Sequence, residues 1–122
     1  MNLIILHGEN SQAINTRLNI FKKEAEKRKG RVQIIDLANN GSIINNLSSN
    51  SIFDNDCLFI VTPVNRLSKS DIEWLVNSNT KLNVTAVFVN EGVLAQTLLN
   101  KLKSFSKVEE YPLPKYIFKF LD

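Results

Sequence analysis

His7-Gly8-Glu9-Asn10 follows the first apolar run and is the first group of residues able to do chemistry. In an open parallel sheet this turn lies at the carboxyl edge and opens a helix whose N-terminus attracts anions, which makes it the default ligand position. A phosphate-binding loop there needs several glycines for close backbone approach, a lysine for the phosphates and a Ser or Thr for magnesium. No such set follows Gly8, and Glu9 puts a negative charge where a phosphate would sit. An ATPase of this class also ends its third strand in a metal-binding acid, whereas here the third apolar run ends Phe59-Ile60-Val61-Thr62. ATP hydrolysis is therefore not expected. A two-component receiver domain needs a phosphorylatable aspartate at the position of Thr62 and acids after the first strand, and the lone Glu9 does not meet that requirement.

The other candidate residues have structural readings. His7 is a general base in principle, but it stands beside no Cys or Ser nucleophile and reads as a structural residue. Cys57 lies inside an apolar run without a basic neighbour and reads as core, not as a nucleophile. Trp74 has apolar neighbours and reads as core or half-buried surface, and Lys22, Lys23, Lys27, Arg28 and Lys29 read as a solvated helix face. One apolar pair, Ile52-Phe53, stands isolated in the polar stretch 48–56, flanked by Ser51 and Asp54. Such a pair either anchors its own loop or plugs a partner's pocket. No catalytic residue, metal ligand or cofactor site is expected.

Two residue periods alternate along the chain and define the elements that position these residues. The run 3–6 reads as a strand buried on both faces and ended by Gly8. A helix follows, capped by Asn10 or Ser11, with Ile14, Leu18, Phe21 and Ala25 as its apolar stripe, basic residues in its last turn and Gly30 as its stop. A second strand over 32–37 leads through Asn39-Asn40-Gly41 into a short helix carrying Ile43, Ile44 and Leu47. The run 57–61 is a third strand, and Ser70 with Glu73 suggests a capping box opening a helix whose apolar side is Ile72, Leu75 and Val76. A fourth strand over 84–89, a leucine-rich helix over 93–102 and a short fifth strand over 108–111 complete the pattern before Pro112 and Pro114. This alternation predicts a three-layer αβα fold with a parallel five-stranded sheet.

Composition fits that reading. With 122 residues, 43% of them hydrophobic, the chain can bury one core and is short for two. The net charge of +3, from 15 basic and 12 acidic residues, is too mild and mixed to imply nucleic-acid binding by itself. A single cysteine gives no disulfide framework, and no apolar run has the length of a signal-peptide core or a membrane span, so a soluble cytoplasmic protein is expected. Residues 1–114 form the expected domain, and 115–122, with the apolar stretch 116–121, the start of a connection to something further.

Taken in order, the Gly-Glu-Asn turn, a second strand ending in Asp36-Leu37, the polar stretch with its apolar pair, the third strand and then Val64-Asn65-Arg66-Leu67-Ser68 resemble the N-terminal domain of the delta subunit of bacterial DNA polymerase III. The resemblance covers essentially the whole chain and rests on the ordered set, since no single motif in it is specific. It implies a AAA+-type, P-loop-NTPase-like domain that has lost its nucleotide site, a non-catalytic part of the clamp loader that binds the ring-shaped sliding clamp and helps open it while sister subunits hydrolyse ATP. By position in the family's pattern, Ile52 and Phe53, flanked by Ser51 and Asp54, are the clamp-binding plug. The other loader subunits are partners where lid and collar domains are present, and DNA is contacted only indirectly. Three departures stand out: Ile52 replaces the usual leucine, Glu91-Gly92-Val93-Leu94 replaces a charged cluster after the fourth strand, and lid and collar sequences are absent from these 122 residues. Two other readings remain open at this stage: a nucleotide-binding or regulatory α/β domain using the Gly8 turn, and a basic nucleic-acid adaptor.

Overall fold

Apolar runs short enough for strands alternate with amphipathic stretches long enough for helices, and the computed structural model arranges them as a five-stranded, wholly parallel sheet with helices. It describes residues 2–39, 41–50 (backbone alone over 48–50), 57–78 and 84–113. The elements run β1 (Asn2–Gly8), α1 (Ser11–Lys27), β2 (Val32–Asp36), a 3-10 turn (Leu37–Asn39), α2 (Ile43–Asn50), β3 (Leu58–Thr62), a second 3-10 turn (Val64–Arg66), α3 (Lys69–Ser78), β4 (Thr85–Glu91), α4 (Gln96–Lys103) and β5 (Lys107–Glu110). Among the described residues, no helix is long and apolar enough to cross a membrane.

The strands lie in the order β2-β3-β4-β1-β5. From β1 the chain steps to the far edge at β2, and each later crossover steps back the other way. Right-handed crossovers therefore put α1 on one face and α2, α3 and α4 on the other. The packing agrees. Ile4, Leu6, Leu58, Ile60, Val87 and Val89 meet Ile14, Leu18, Phe21 and Ala25 of α1. The opposite side chains, among them Ile5, Phe59, Val61 and Phe88, meet Ile43 and Leu47 of α2, Leu75 of α3 and Leu102 of α4. Strands buried on both faces explain the continuous apolar runs. The order also differs from the flavodoxin-like β2-β1-β3-β4-β5 sheet of receiver domains.

Three local details depart from the sequence expectation. Helix α1 is capped at its start, as expected, by the Asn10 side chain, which accepts from the Ala13 N–H at 3.1 Å, and the departures lie elsewhere. At its end the left-handed residue is Lys29, with φ 56°, one position before Gly30, whose N–H donates back to the Ala25 carbonyl at 2.9 Å. The stop is thus built on a lysine, and the glycine follows it. Helix α3 starts earlier than Ser70: Ser68 Oγ accepts from the Asp71 N–H at 3.1 Å while the Ser68 N–H donates to Asp71 Oδ2 at 3.0 Å. The reciprocal capping box is therefore Ser68/Asp71, and Val76, expected on the apolar side, is exposed. Helix α4 starts later, at Gln96 instead of 93, because Gly92 bridges back to Gly8 and the Leu94 N–H is held by His7.

Candidate functional site

The carboxyl edge of the sheet gathers the turn after β1, the ends of β2, β3 and β4, and the chain leaving β5. Gly8 sits at φ +131°, a conformation L side chains rarely adopt. A Cβ built on it would lie 2.3 Å from the Tyr111 carbonyl oxygen, so the main chain leaving β5 lies directly against the turn. Hydrogen bonds hold it there: the Tyr111 N–H donates to the His7 carbonyl at 2.8 Å, and the Asn10 N–H donates to the Tyr111 carbonyl at 3.0 Å. From the other side, the Gly8 N–H donates to the Gly92 carbonyl at 3.0 Å and the Gly92 N–H returns a bond to Gly8 at 2.7 Å. The Ser11 N–H donates to the Glu9 carbonyl at 3.1 Å. The amides of Gly8, Asn10, Ser11 and Ala13 are thus all taken by acceptors of the chain itself, where a phosphate cradle would aim them at a ligand.

His7 is buried on the α4 side of β1, and its Nδ1 accepts from the Leu94 N–H at 3.4 Å. An accepting Nδ1 places the proton of the neutral ring on Nε2. Burial pushes the imidazole pKa below its ordinary value, partly opposed by the Glu110 carboxylate. Among the described residues, the cleft of about 260 Å³ that reaches His7 is lined otherwise by Gln96, Leu99, Lys103, Val108 and Glu110, none of which carries a hydroxyl or thiol. His7 thus pins the segment before α4, as the structural reading expects.

At the ends of the middle strands the polar groups also hold the chain. Asn90, buried at the end of β4, accepts from the Asn65 N–H at 3.3 Å and donates to the Gly92 carbonyl at 3.1 Å. Asp36 accepts from the Ala38 N–H at 3.0 Å and from Asn39 Nδ2 at 2.6 Å, and its carbonyl takes the Gly41 N–H at 2.8 Å. Asp36, Asn65 and Asn90, together with Asn15, Thr62, Arg66 and Glu91, line an open cleft of about 590 Å³. Its two acids are Asp36, already engaged by the turn after β2, and the exposed Glu91. Among the described residues, no group of three or more His, Cys, Asp or Glu is placed to hold a metal ion.

A second polar cluster ties α1 to β5. Arg17 donates to both oxygens of Glu109, Nε at 3.1 Å and Nη2 at 3.3 Å, and stacks over the Phe21 ring at 4.7 Å. The Tyr111 hydroxyl donates to the same carboxylate, and Lys107 Nζ lies 3.7 Å from it. Burial alone would raise the Glu109 pKa, but the hydrogen bonds from Tyr111 and Arg17 outweigh it and hold the carboxyl below its ordinary value. Burial, reinforced by the Glu109 bond, raises the Tyr111 phenol, and the bond to Glu109 raises the guanidinium of Arg17. A charged pair with side chains 33% and 16% exposed is a clamp between elements, and nothing in it resembles an acid/base pair poised near neutrality.

Cys57 is buried, Trp74 is half-buried against the core, and Lys23, Lys27, Arg28 and Lys29 are exposed with Lys22 half-buried, in line with their structural readings. Asn90, Arg17 and Glu109 escaped sequence analysis because their partners lie far along the chain, up to 92 positions away for the Arg17–Glu109 pair. Ile52, Phe53, Ser51 and Asp54, the expected plug and its flanks, lie outside the described residues, between Asn50 at the end of α2 and the buried Cys57 before β3. No protein-family model and no curated protein matches the chain.

Proposed function

We propose that this chain is a non-catalytic protein-binding domain of a DNA polymerase III clamp loader, of the kind the delta subunit carries at its N-terminus. In this reading Ile52 and Phe53 enter a hydrophobic pocket of the sliding clamp. The observation that carries the non-catalytic half is the closed turn after β1, where the Tyr111 main chain lies against Gly8 and the Gly92 and Tyr111 carbonyls take the amides of Gly8 and Asn10. The clamp-binding half rests on the ordered sequence resemblance and on the chemistry of Ile52-Phe53, an aromatic beside a branched aliphatic among Ser, Asn and Asp. Burying that pair in a partner's pocket contributes roughly 3–6 kcal/mol before association costs, enough for a hot spot.

The test is binding to the sliding clamp of the source organism, measured by titration calorimetry. The double substitution Ile52→Ala with Phe53→Ala is expected to weaken binding by about 2 kcal/mol or more, with the melting curve unchanged. Undiminished binding by a folded double variant would refute the plug assignment. A thermal stabilisation of the wild-type chain by ATP, GTP or a dinucleotide would instead favour a nucleotide-binding domain that uses the Gly8 turn, because a ligand specific to the native state must raise its stability.

A further inference from the structure

The two edges of the sheet are finished differently. β5 exposes Lys107 and Glu110, and Pro112 follows two residues after it. Charges and proline are the devices that keep an edge strand from pairing with another chain. β2, at the opposite edge, reads Val32-Gln33-Ile34-Ile35-Asp36 and has no such guard before its last residue. The Leu58 N–H donates to the Arg31 carbonyl at 2.7 Å, which sets the phase of the ladder. With Val32 opposite Leu58 and Ile34 opposite Ile60, the main chains of Gln33 and Ile35 face β3, while those of Val32 and Ile34 turn outward. The side chains of these same two residues lie on the α1 side of the sheet and are 38% and 61% exposed.

We propose that β2 pairs antiparallel with β2 of a second copy of this chain, about a two-fold axis at Gln33, joining two five-stranded sheets into one. With Gln33 opposite its own counterpart, Val32 falls opposite the partner's Ile34, and Ile34 opposite the partner's Val32. These are the residues whose main-chain groups point outward, so both pairs exchange N–H···O=C bonds, and their β-branched side chains meet on one face. The charges fit the same alignment. Arg28 and Lys29, both exposed, precede the strand and Asp36 closes it, so the two-fold sets each basic end beside the partner's acidic end. A foreign extended segment would satisfy the main chain, but the match of side-chain pairs and charged ends is a property of this strand against itself. The Gln33 side chain, bonded to Asn46 Oδ1 at 2.7 Å, stays on the other face and is undisturbed.

Sedimentation of the purified chain over a range of concentrations tests the pairing. The mass is expected to rise toward twice the 13.9 kDa of one chain. Ile34→Lys, at an exposed site, is expected to weaken association by about tenfold or more, with a melting curve unchanged at concentrations where both chains are monomeric. Gln33→Cys is expected to form a disulfide-linked dimer under mild oxidation, since directly opposed residues of this kind lie about 4.5 Å apart at Cα. A wild-type chain that is monomeric at every concentration overturns the proposal, as does a dimer unaffected by Ile34→Lys. A monomer that takes up a foreign extended peptide at this edge overturns it too, and assigns the edge to another partner.

Discussion

Replacing Gly8 by alanine separates a glycine kept for packing from one kept for a ligand. Two costs add. Holding a non-glycine residue at φ +131° costs about 1–3 kcal/mol. The new Cβ, 2.3 Å from the Tyr111 oxygen, must also push the main chain after β5 away. That loosens the bonds from Tyr111 to His7 and from Asn10 to Tyr111, at about 0.5–1.5 kcal/mol each. The expected total is about 2–6 kcal/mol, a large share of the roughly 5–15 kcal/mol that stabilises a domain. Gly92→Ala is the control. Its φ of +126° imposes a similar strain, but the nearest atom to its Cβ is Asn90 Nδ2 at 3.8 Å, ordinary contact. Urea unfolding should therefore place Gly8→Ala about 2 kcal/mol below Gly92→Ala. Equal losses for the two variants would refute the close approach of Tyr111 as the reason for Gly8.

Three further outcomes are expected. Lys29→Gly should stabilise the fold by about 0.5–1 kcal/mol in urea unfolding, because it relieves the left-handed strain at the end of α1. Ser68→Ala should cost about 1 kcal/mol in the same assay while Ser70→Ala costs close to nothing, since only Ser68 caps α3. Glu109→Gln should cost about 1–3 kcal/mol at neutral pH, from loss of the charge-assisted bonds to Arg17. Because the folded Glu109 carboxyl titrates below its unfolded value, its contribution is present above about pH 4.3 and is lost as pH falls through the lower folded pKa. Glu109→Gln should accordingly flatten the acid limb of a stability profile measured from about pH 3 to 7.

The elements were legible from sequence where one local force dominates. The stripe Ile14-Leu18-Phe21-Ala25 and the Asn10 cap together specify α1, and the continuous apolar runs could be little else than strands covered on both faces. The boundaries slipped where a distant group intervenes. Val93 and Leu94 have helical spacing with the leucines that follow, but the bond from Leu94 to His7 withholds them from α4. Ser68 and Ser70 both offer an acid three residues on, and spacing alone does not choose between them. At the carboxyl edge the absence of a phosphate motif could be read directly, but its counterpart, the Tyr111 main chain closing over Gly8, depends on β1 and β5 being neighbours. No periodicity in a sequence specifies strand order. The Arg17–Glu109–Tyr111 clamp was hidden for the same reason.

The placement of β1 beside β5 also governs how the molecule carries load. The two strands are parallel neighbours, so the start of β1 and the end of β5 lie at opposite ends of their shared ladder. A pull applied between Asn2 and Leu113 runs along the strands and strains the whole β1–β5 ladder at once, in shear, instead of opening it one bond at a time. The contacts of Tyr111 with His7, Asn10 and Glu109 sit where that pull first enters the sheet, so they are the part of the fold that must yield before any strand can slide.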